Sequence, residues 1–184
     1  MFEVGHQNHQ SRQVIDLARG GDRHAQKQMF DLYAPKMLGV CRQYIKDLQF
    51  AEDMMITGFI KVFAKLDQFR NDGSFEGWVR RIMVNECISH LRTQKRMEML
   101  NETEVDAWIP ASIEGEMTVN EIQALIDGLP EGSKMVFNLY VIENYTHREI
   151  AEQLGINEGT SKSQLAYARK KLQELLHQQN QIHR

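Results

Sequence analysis

Between Thr160 and Lys170 the chain lines up Thr160, Lys162, Ser163, Gln164, Tyr167, Arg169 and Lys170, groups that can bond a base edge or hold a phosphate. Glutamine suits adenine, lysine suits guanine or phosphate, and the smaller hydroxyls serve either. From Thr160 to Lys171 four bases stand against no acid. Other reactive residue types are not arranged for chemistry. The seven histidines show no HExxH or other ligand spacing, and no glycine-rich loop of the GxGxxG or P-loop kind is present to cradle phosphates. Glu52 and Asp53 fall at a helix start, where carboxylates favour the positive end of the dipole in any case. Cys41 and Cys87 lie far apart inside helical patterns; their number and spacing exclude a disulfide framework or CxxC zinc site, and they read as small core residues. The chemistry on offer is binding, so no enzyme activity, cofactor or metal is expected.

Something must hold that polar set in place. Thr146-His147-Arg148-Glu149 fits a capping box, with a hydroxyl at the N-cap and a carboxylate at N3. Ile150, Ala151 and Leu154 give a short helix its buried face, Gly155 can adopt the left-handed conformation that stops it, and Asn157 can cap the next helix. A short helix, a glycine turn and a second helix make the helix-turn-helix geometry, whose second helix presents its N-terminal residues to the major groove. On that helix Leu165, Ala168 and Leu172 share one side and face inward. An ordinary helical hairpin with a solvated face would share the periodicity, but the capping box, the stop glycine and the bases beyond it all agree on the sharper reading.

The remaining elements are helical too. Three prolines and 12 glycines in 184 residues argue against disorder as the default, and 42 % hydrophobic content is enough for real cores. Asp22 opens a stretch with Ala25, Met29, Leu32 and Tyr33 on one face; Pro35 should break or re-seat it before Met37, Leu38, Cys41, Tyr44 and Ile45 continue. Asp47 can cap a helix carrying Ala51, Met54, Met55, Gly58, Phe59, Val62, Phe63 and Leu66. A turn at FRNDGS follows, and Ser74 can cap a third helix with Phe75, Trp78, Val79, Ile82 and Met83 that runs to about Met97. Trp78 reads as core. Helices are further expected at 119–129 and 133–141. The domain reading is a polar tail with the start of the first helix at 1–21, a helical domain at 22–97, an acidic linker at 98–117, a helix-turn-helix domain at 118–176 and a polar tail at 177–184.

Charge distribution matters more than the net value of −3. From Arg80 to Arg96 five bases face one acid, while Glu98 to Glu121 holds seven acids and no lysine or arginine. One basic patch per bundle, separated by an acidic tether, is an electrostatic footprint for phosphates. The N-terminal MFEVGHQNHQSRQ has no apolar signal core, and no apolar run is long enough to span a bilayer, so a cytoplasmic chain without membrane insertion is expected.

EIAEQLGINEGTSKSQLAYARKKL resembles region 4 of the sigma-70 family, in the form of its extracytoplasmic-function (ECF) group. The first bundle independently resembles region 2 of that group, at Ala51-Glu52-Asp53, Phe59-Ile60-Lys61, Leu66-Asp67, Phe69-Arg70, Ser74-Phe75, Trp78, Arg81-Ile82 and Asn85. The resemblance covers about residues 20–97 and 118–176. It implies an all-α fold of two small helical bundles and a transcription initiation factor that binds core RNA polymerase and directs it to promoters. Region 2 would recognise and melt the minus-ten element, and region 4 would read the minus-thirty-five element. It implies polymerase contact at Asp53, Met54, Thr57, Gly58 and Lys61, and a pocket for a flipped base in the FRNDGS turn. Phe69, Asn71, Asp72 and Ser74 would serve that pocket, with Arg80, Arg81, Asn85, His90 and Arg92 behind it on the strand backbone. An anti-sigma factor is an implied partner, and the active form is expected to be a monomer.

The chain departs from the family pattern at Ile56-Thr57, where a glutamine and an acid are common, and at Ser161 and Gln164, where valine and arginine are frequent. A free-standing LuxR-like regulator, binding duplex operators as a dimer, shares the EIAxxLGIxEGT form; it would carry a receiver or sensor of alternating strands and helices in the N-terminal half. The linker carboxylates Glu102, Glu104 and Asp106 could also lie on basic surfaces of the chain and damp DNA binding.

Overall fold

The computed structural model describes the backbone of residues 12–70, 73–98 and 119–182. Asn71, Asp72, the linker carboxylates and both chain ends lie outside the described residues. The chain divides into two compact units, Met1–Lys95 and Arg96–Arg184. Among the described residues every regular element is helical.

The first unit begins earlier than its polar sequence suggests. Residues 12–19 form helix α1, with Ile15 and Ala18 buried. Gly21, at φ 84°, turns the chain into α2, Arg23–Tyr44, which Asp22 caps by accepting from the Ala25 N–H at 2.8 Å. Pro35 neither breaks nor re-seats α2. It sits on the exposed side, where water can take up the carbonyl that a proline leaves unbonded, while Met29 and Met37 hold the helix to the core on either side. Leu32, expected inward, is 63 % exposed.

A short connection leads to α3, Leu48–Ala64, capped by Asp47 as expected. Phe30 near the start of α2 meets Phe59 near the end of α3, centroids 4.8 Å apart, so the two helices run antiparallel. A 3₁₀ turn, Leu66–Gln68, then leads to α4, Phe75–Glu98. Helices α3 and α4 come close at Gly58, where an added Cβ would stand 2.2 Å from the Met83 sulfur. Cys41 of α2 and Cys87 of α4, 46 residues apart in sequence, are both fully buried and share a thiol–thiol hydrogen bond. That bond and burial push the Cys87 thiol well above its ordinary range, so it stays protonated.

The second unit opens with α5, Val119–Asp127, and α6, Glu131–Phe137, which ends in a π-helical turn, Asn138–Ile142. The buried Lys134 ammonium pairs with Asp127, fastening α6 to α5 across the LPEG turn, and Gln123 donates to the same carboxylate at 3.3 Å. Asn144 takes a left-handed φ of 58°, which asparagine tolerates, and the chain enters α7, His147–Leu154, and α8, Glu158–Ile182. The core between them is made by Leu125, Val136, Leu139, Ile150, Leu165 and Ala168.

Candidate nucleic-acid and polymerase interfaces

Local rules build the α7–α8 corner. Thr146 Oγ1 accepts from the Glu149 N–H at 3.3 Å, and Glu149 Oε2 accepts from the Thr146 N–H at 2.8 Å, completing the capping box. Such a cap contributes about 1 kcal/mol. Gly155 ends α7 at φ 67°, donating to the Ala151 carbonyl. Asn157 Oδ1 then accepts from the Thr160 N–H at 2.7 Å and from its hydroxyl at 3.1 Å. So the Thr160 hydroxyl is engaged in the cap rather than turned outward.

The rest of the α8 set divides by direction. Lys162, Ser163, Tyr167 and Lys170 are exposed, the last three on the side opposite buried Leu165 and Ala168 and Lys162 on a flank one turn before Leu165. Lys162 and Lys170 pair loosely with Glu158 and Glu174, at 3.8 and 4.0 Å. Pairs this exposed contribute little and can be exchanged for phosphate cheaply. Gln164 sits on the flank nearer α6, where its Oε1 accepts from the Ser133 hydroxyl; the amide NH₂ remains for an acceptor on a base. Ser163, Gln164 and Tyr167 line a shallow groove of about 390 Å³ together with Pro130 and Ser133.

Arg169 lies on the other flank, its guanidinium 5.8 Å from the centre of the Tyr140 ring. Tyr140 stacks on His147 at 4.6 Å, and His147 Nδ1 meets the buried Ser161 hydroxyl at 2.9 Å. This relay across α6, α7 and α8 explains how a serine sits at a fully buried position. Periodicity could have marked Ser161 as inward, being one turn before Leu165, but only the fold supplies its partner.

In the first unit the basic face is carried by α4. Arg81 and Arg92 are exposed and Asn85 half-buried, four and seven residues apart, so the three share one face. Half-buried Arg80 turns aside to donate to Gln43 at 3.3 Å. His90, half-buried, lies against the exposed ring of Phe50 at 5.6 Å. Ser74 is exposed at the start of α4, its hydroxyl accepting weakly from the Gly77 N–H at 3.4 Å.

Phe69 is a different case from its expected role. It is only 7 % exposed and meets Phe75 edge-on at 5.1 Å and Trp78 at 5.4 Å. Its ring therefore floors the turn as core and presents no face to a base. Trp78, expected as core, packs against Phe69 and Phe75 but is only half-buried.

The polymerase set also splits. Asp53 is exposed on α3, Met54 and Thr57 are half-buried, and Lys61 reaches Glu86 of α4 at 2.6 Å. Gly58 is buried against Met83 and faces inward, so it cannot meet a partner; its lack of a side chain serves helix packing. The outward apolar residues are instead Ile56 and Ile60, 49 % and 64 % exposed on the same face as Glu52 and Asp53. Neither belongs to the three-four apolar stripe of α3, which is the signal that sets them outside. Among the described residues no group of three or more His, Cys, Asp or Glu could hold a metal, and no helix is long and apolar enough to cross a membrane.

Residues 29–97 match the family described as Sigma-70 region 2, and residues 120–172 match Sigma-70, region 4. The chain belongs to the sigma-70 family, as an ECF sigma factor. It is 27 % identical to the RNA polymerase sigma-H factor of Pseudomonas aeruginosa, over 91 % of this chain and 94 % of that one. It is equally 27 % identical to the ECF RNA polymerase sigma factor SigW of Bacillus subtilis, over 88 % of this chain and 94 % of the relative. The sigma factor RpoE, in its co-crystal structure with the anti-sigma factor NepR from Bartonella quintana, shares the fold at a TM-score of 0.54, with 24 % identity over 82 % of this chain and 96 % of that one. This ECF sigma factor directs RNA polymerase to promoters through regions 2 and 4, a binding function without turnover.

Proposed function

We propose that the labour divides along the residues now placed. In region 4 the exposed set of α8, Lys162, Ser163, Tyr167 and Lys170, with Gln164 and Arg169 on its flanks, reads the minus-thirty-five element. In region 2 the α4 face bearing Arg81, Asn85 and Arg92, bordered by Arg80 and His90, holds the minus-ten strand, and the turn between Phe69 and Ser74 takes up an unstacked base. Asp53 and Thr57, joined by Ile56 and Ile60, meet core RNA polymerase, so an apolar contact stands where the family commonly offers polar and acidic groups.

The observation that carries this reading is the α7–α8 corner: a complete capping box, a left-handed glycine and a second N-cap aim an exposed cationic helix face outward. The expected sequence boundaries, a region 2 domain at 22–97 and a region 4 domain at 118–176 on an acidic linker, fit the same division. Two weak sites on one tether gain affinity together only when the linker spans both elements. An anti-sigma factor as the inhibitory partner, a monomer as the active form and a cytoplasmic location complete the proposal; the RpoE neighbour was solved with such a partner.

Run-off transcription with purified core polymerase tests the whole. Initiation should depend on this chain, and Lys162→Ala with Lys170→Ala should cut promoter affinity and lower the salt slope by about 0.9 for each phosphate no longer neutralised. An unchanged slope would remove α8 from the DNA.

A further inference from the structure

The glutamine on the flank of α8 is held from a neighbouring helix. Gln164 is half-buried, and its carboxamide rests on the first turn of α6. A Cβ placed on Gly132 would stand 3.9 Å from its Cδ, 3.9 Å from its Oε1 and 4.0 Å from its Nε2. Three such nearly equal distances mean that the amide lies face-on over the glycine, which sets its plane. Within that plane the buried Ser133 hydroxyl donates to Oε1 and sets which end is which. The N–H groups that a helix leaves unbonded in its first turn favour the same choice, oxygen toward α6. No second hydrogen bond reaches the amide among the described residues, so its two N–H donors are left for a partner in the groove that Gln164 lines with Ser163 and Tyr167.

A glutamine with both amide ends available matches adenine, its oxygen accepting from N6 and its NH₂ donating to N7. With the oxygen engaged by Ser133, the NH₂ takes its place and meets the adenine amino group donor to donor. Guanine offers O6 and N7, acceptors both, along the same edge. A donor closed against a donor loses its water without gaining a partner, and that penalty separates the two bases. Ser133 need touch no nucleotide to impose it.

We infer that Ser133 is a positioning residue for base selection in region 4: by holding the Gln164 oxygen it makes this side chain a donor and turns its preference from adenine to guanine. The role rests on the reading of α8 as the helix that meets the minus-thirty-five element.

The test uses holoenzyme made from core polymerase and the full chain, with a promoter library randomised across the minus-thirty-five element. Sequencing the bound and unbound fractions gives the relative occupancy of each base at each position. Gln164→Ala should flatten the preference at one position and so mark where Gln164 reads. There the wild type should favour guanine over adenine by about tenfold, the scale of one side chain matched to one base. Ser133→Ala frees the oxygen and lets the amide turn over about its last torsion. It should bring that ratio to about one or below, with the other positions and the salt slope unchanged. A wild type with no base preference anywhere in the element removes α8 from base reading, and the role of Ser133 with it. Preferences that Gln164→Ala leaves intact at every position keep α8 on the DNA but overturn the role. If the marked position favours adenine in the wild type, or keeps its guanine preference in Ser133→Ala, Gln164 reads a base and Ser133 does not direct it. Equal losses at every position with a lowered unfolding temperature would make Ser133 a packing residue of region 4 and overturn the role too.

Discussion

The helix-turn-helix corner of region 4 is aimed by neighbours in sequence, whereas the polar supports that tie region 2 together join residues far apart. The α7–α8 corner is set by bonds between Thr146 and Glu149, Ala151 and Gly155, and Asn157 and Thr160, none longer-range than four residues. The corresponding supports in region 2 are Arg19 to Leu66 and Phe69, Lys36 to Glu76, Lys61 to Glu86, Gln43 to Arg80 and Cys41 to Cys87, all linking separate elements. A recognition helix needs a fixed exit angle, which two caps supply. A unit that opens duplex DNA and holds a strand needs several helices in one rigid arrangement, which only tertiary contacts supply. Loss of one residue should therefore have different reach in the two regions.

The largest effect should come from Phe69→Ala. With the ring in the core, the change removes a buried aromatic and should lower region 2 stability by about 3–4 kcal/mol. Urea unfolding followed by tryptophan fluorescence at Trp78 checks it. Unchanged stability with weaker single-strand binding would instead return Phe69 to the base pocket and break the contrast between the regions.

A middle-sized effect is expected for Gly155→Ala, which places a Cβ at φ 67° and should cost region 4 about 1–2 kcal/mol. Hydrogen exchange should report faster opening of α7 and the start of α8, with region 2 amides unmoved. Faster exchange in α2 or α3 would show that the two regions are not separately supported.

The smallest effect belongs to Ser161→Val. The valine fills the buried site that the serine now occupies with a hydrogen bond to His147. Half-buried His147 can turn to water, so the bond's net loss of about 1 kcal/mol should be nearly offset by added apolar burial. Thermal melts of the two proteins should agree closely. A large drop would mean that the Tyr140–His147–Ser161 relay is itself a pillar of region 4, making that region less local than its caps imply.

The difference between the regions also governs what can be read from sequence without the fold. The capping box, the stop glycine and the Asn157 cap rest on side-chain types at fixed short offsets, and each is legible. So is the inward side of α8 at Leu165 and Ala168, by helical period alone, which leaves Lys162, Ser163, Gln164, Tyr167 and Arg169 on its other sides. Composition also sets Phe69 at a turn, but it does not say whether an aromatic beside a turn looks in or out; Phe75 and Trp78 settle that. Gly58 illustrates the same limit, since its neighbour Met83 lies 25 residues on. Helix α1 is hidden in the sequence because Ile15 and Ala18 are too few to show a period, and a helix that short is held by packing rather than propensity.

By itself the sequence determined most of the helical stretches beyond α1, the caps at Asp22, Asp47, Thr146 and Asn157, and the basic character of α8, because caps, periods and composition act within a turn or two of chain. The fold alone decided that Cys41 meets Cys87, that Arg19 reaches the Leu66 and Phe69 carbonyls, that Gly58 and Phe69 look inward, and that Gln164 meets Ser133 while Arg169 lies over Tyr140. Those outcomes depend on which surfaces come to share a core, and burial is a property of the assembled volume rather than of any short segment.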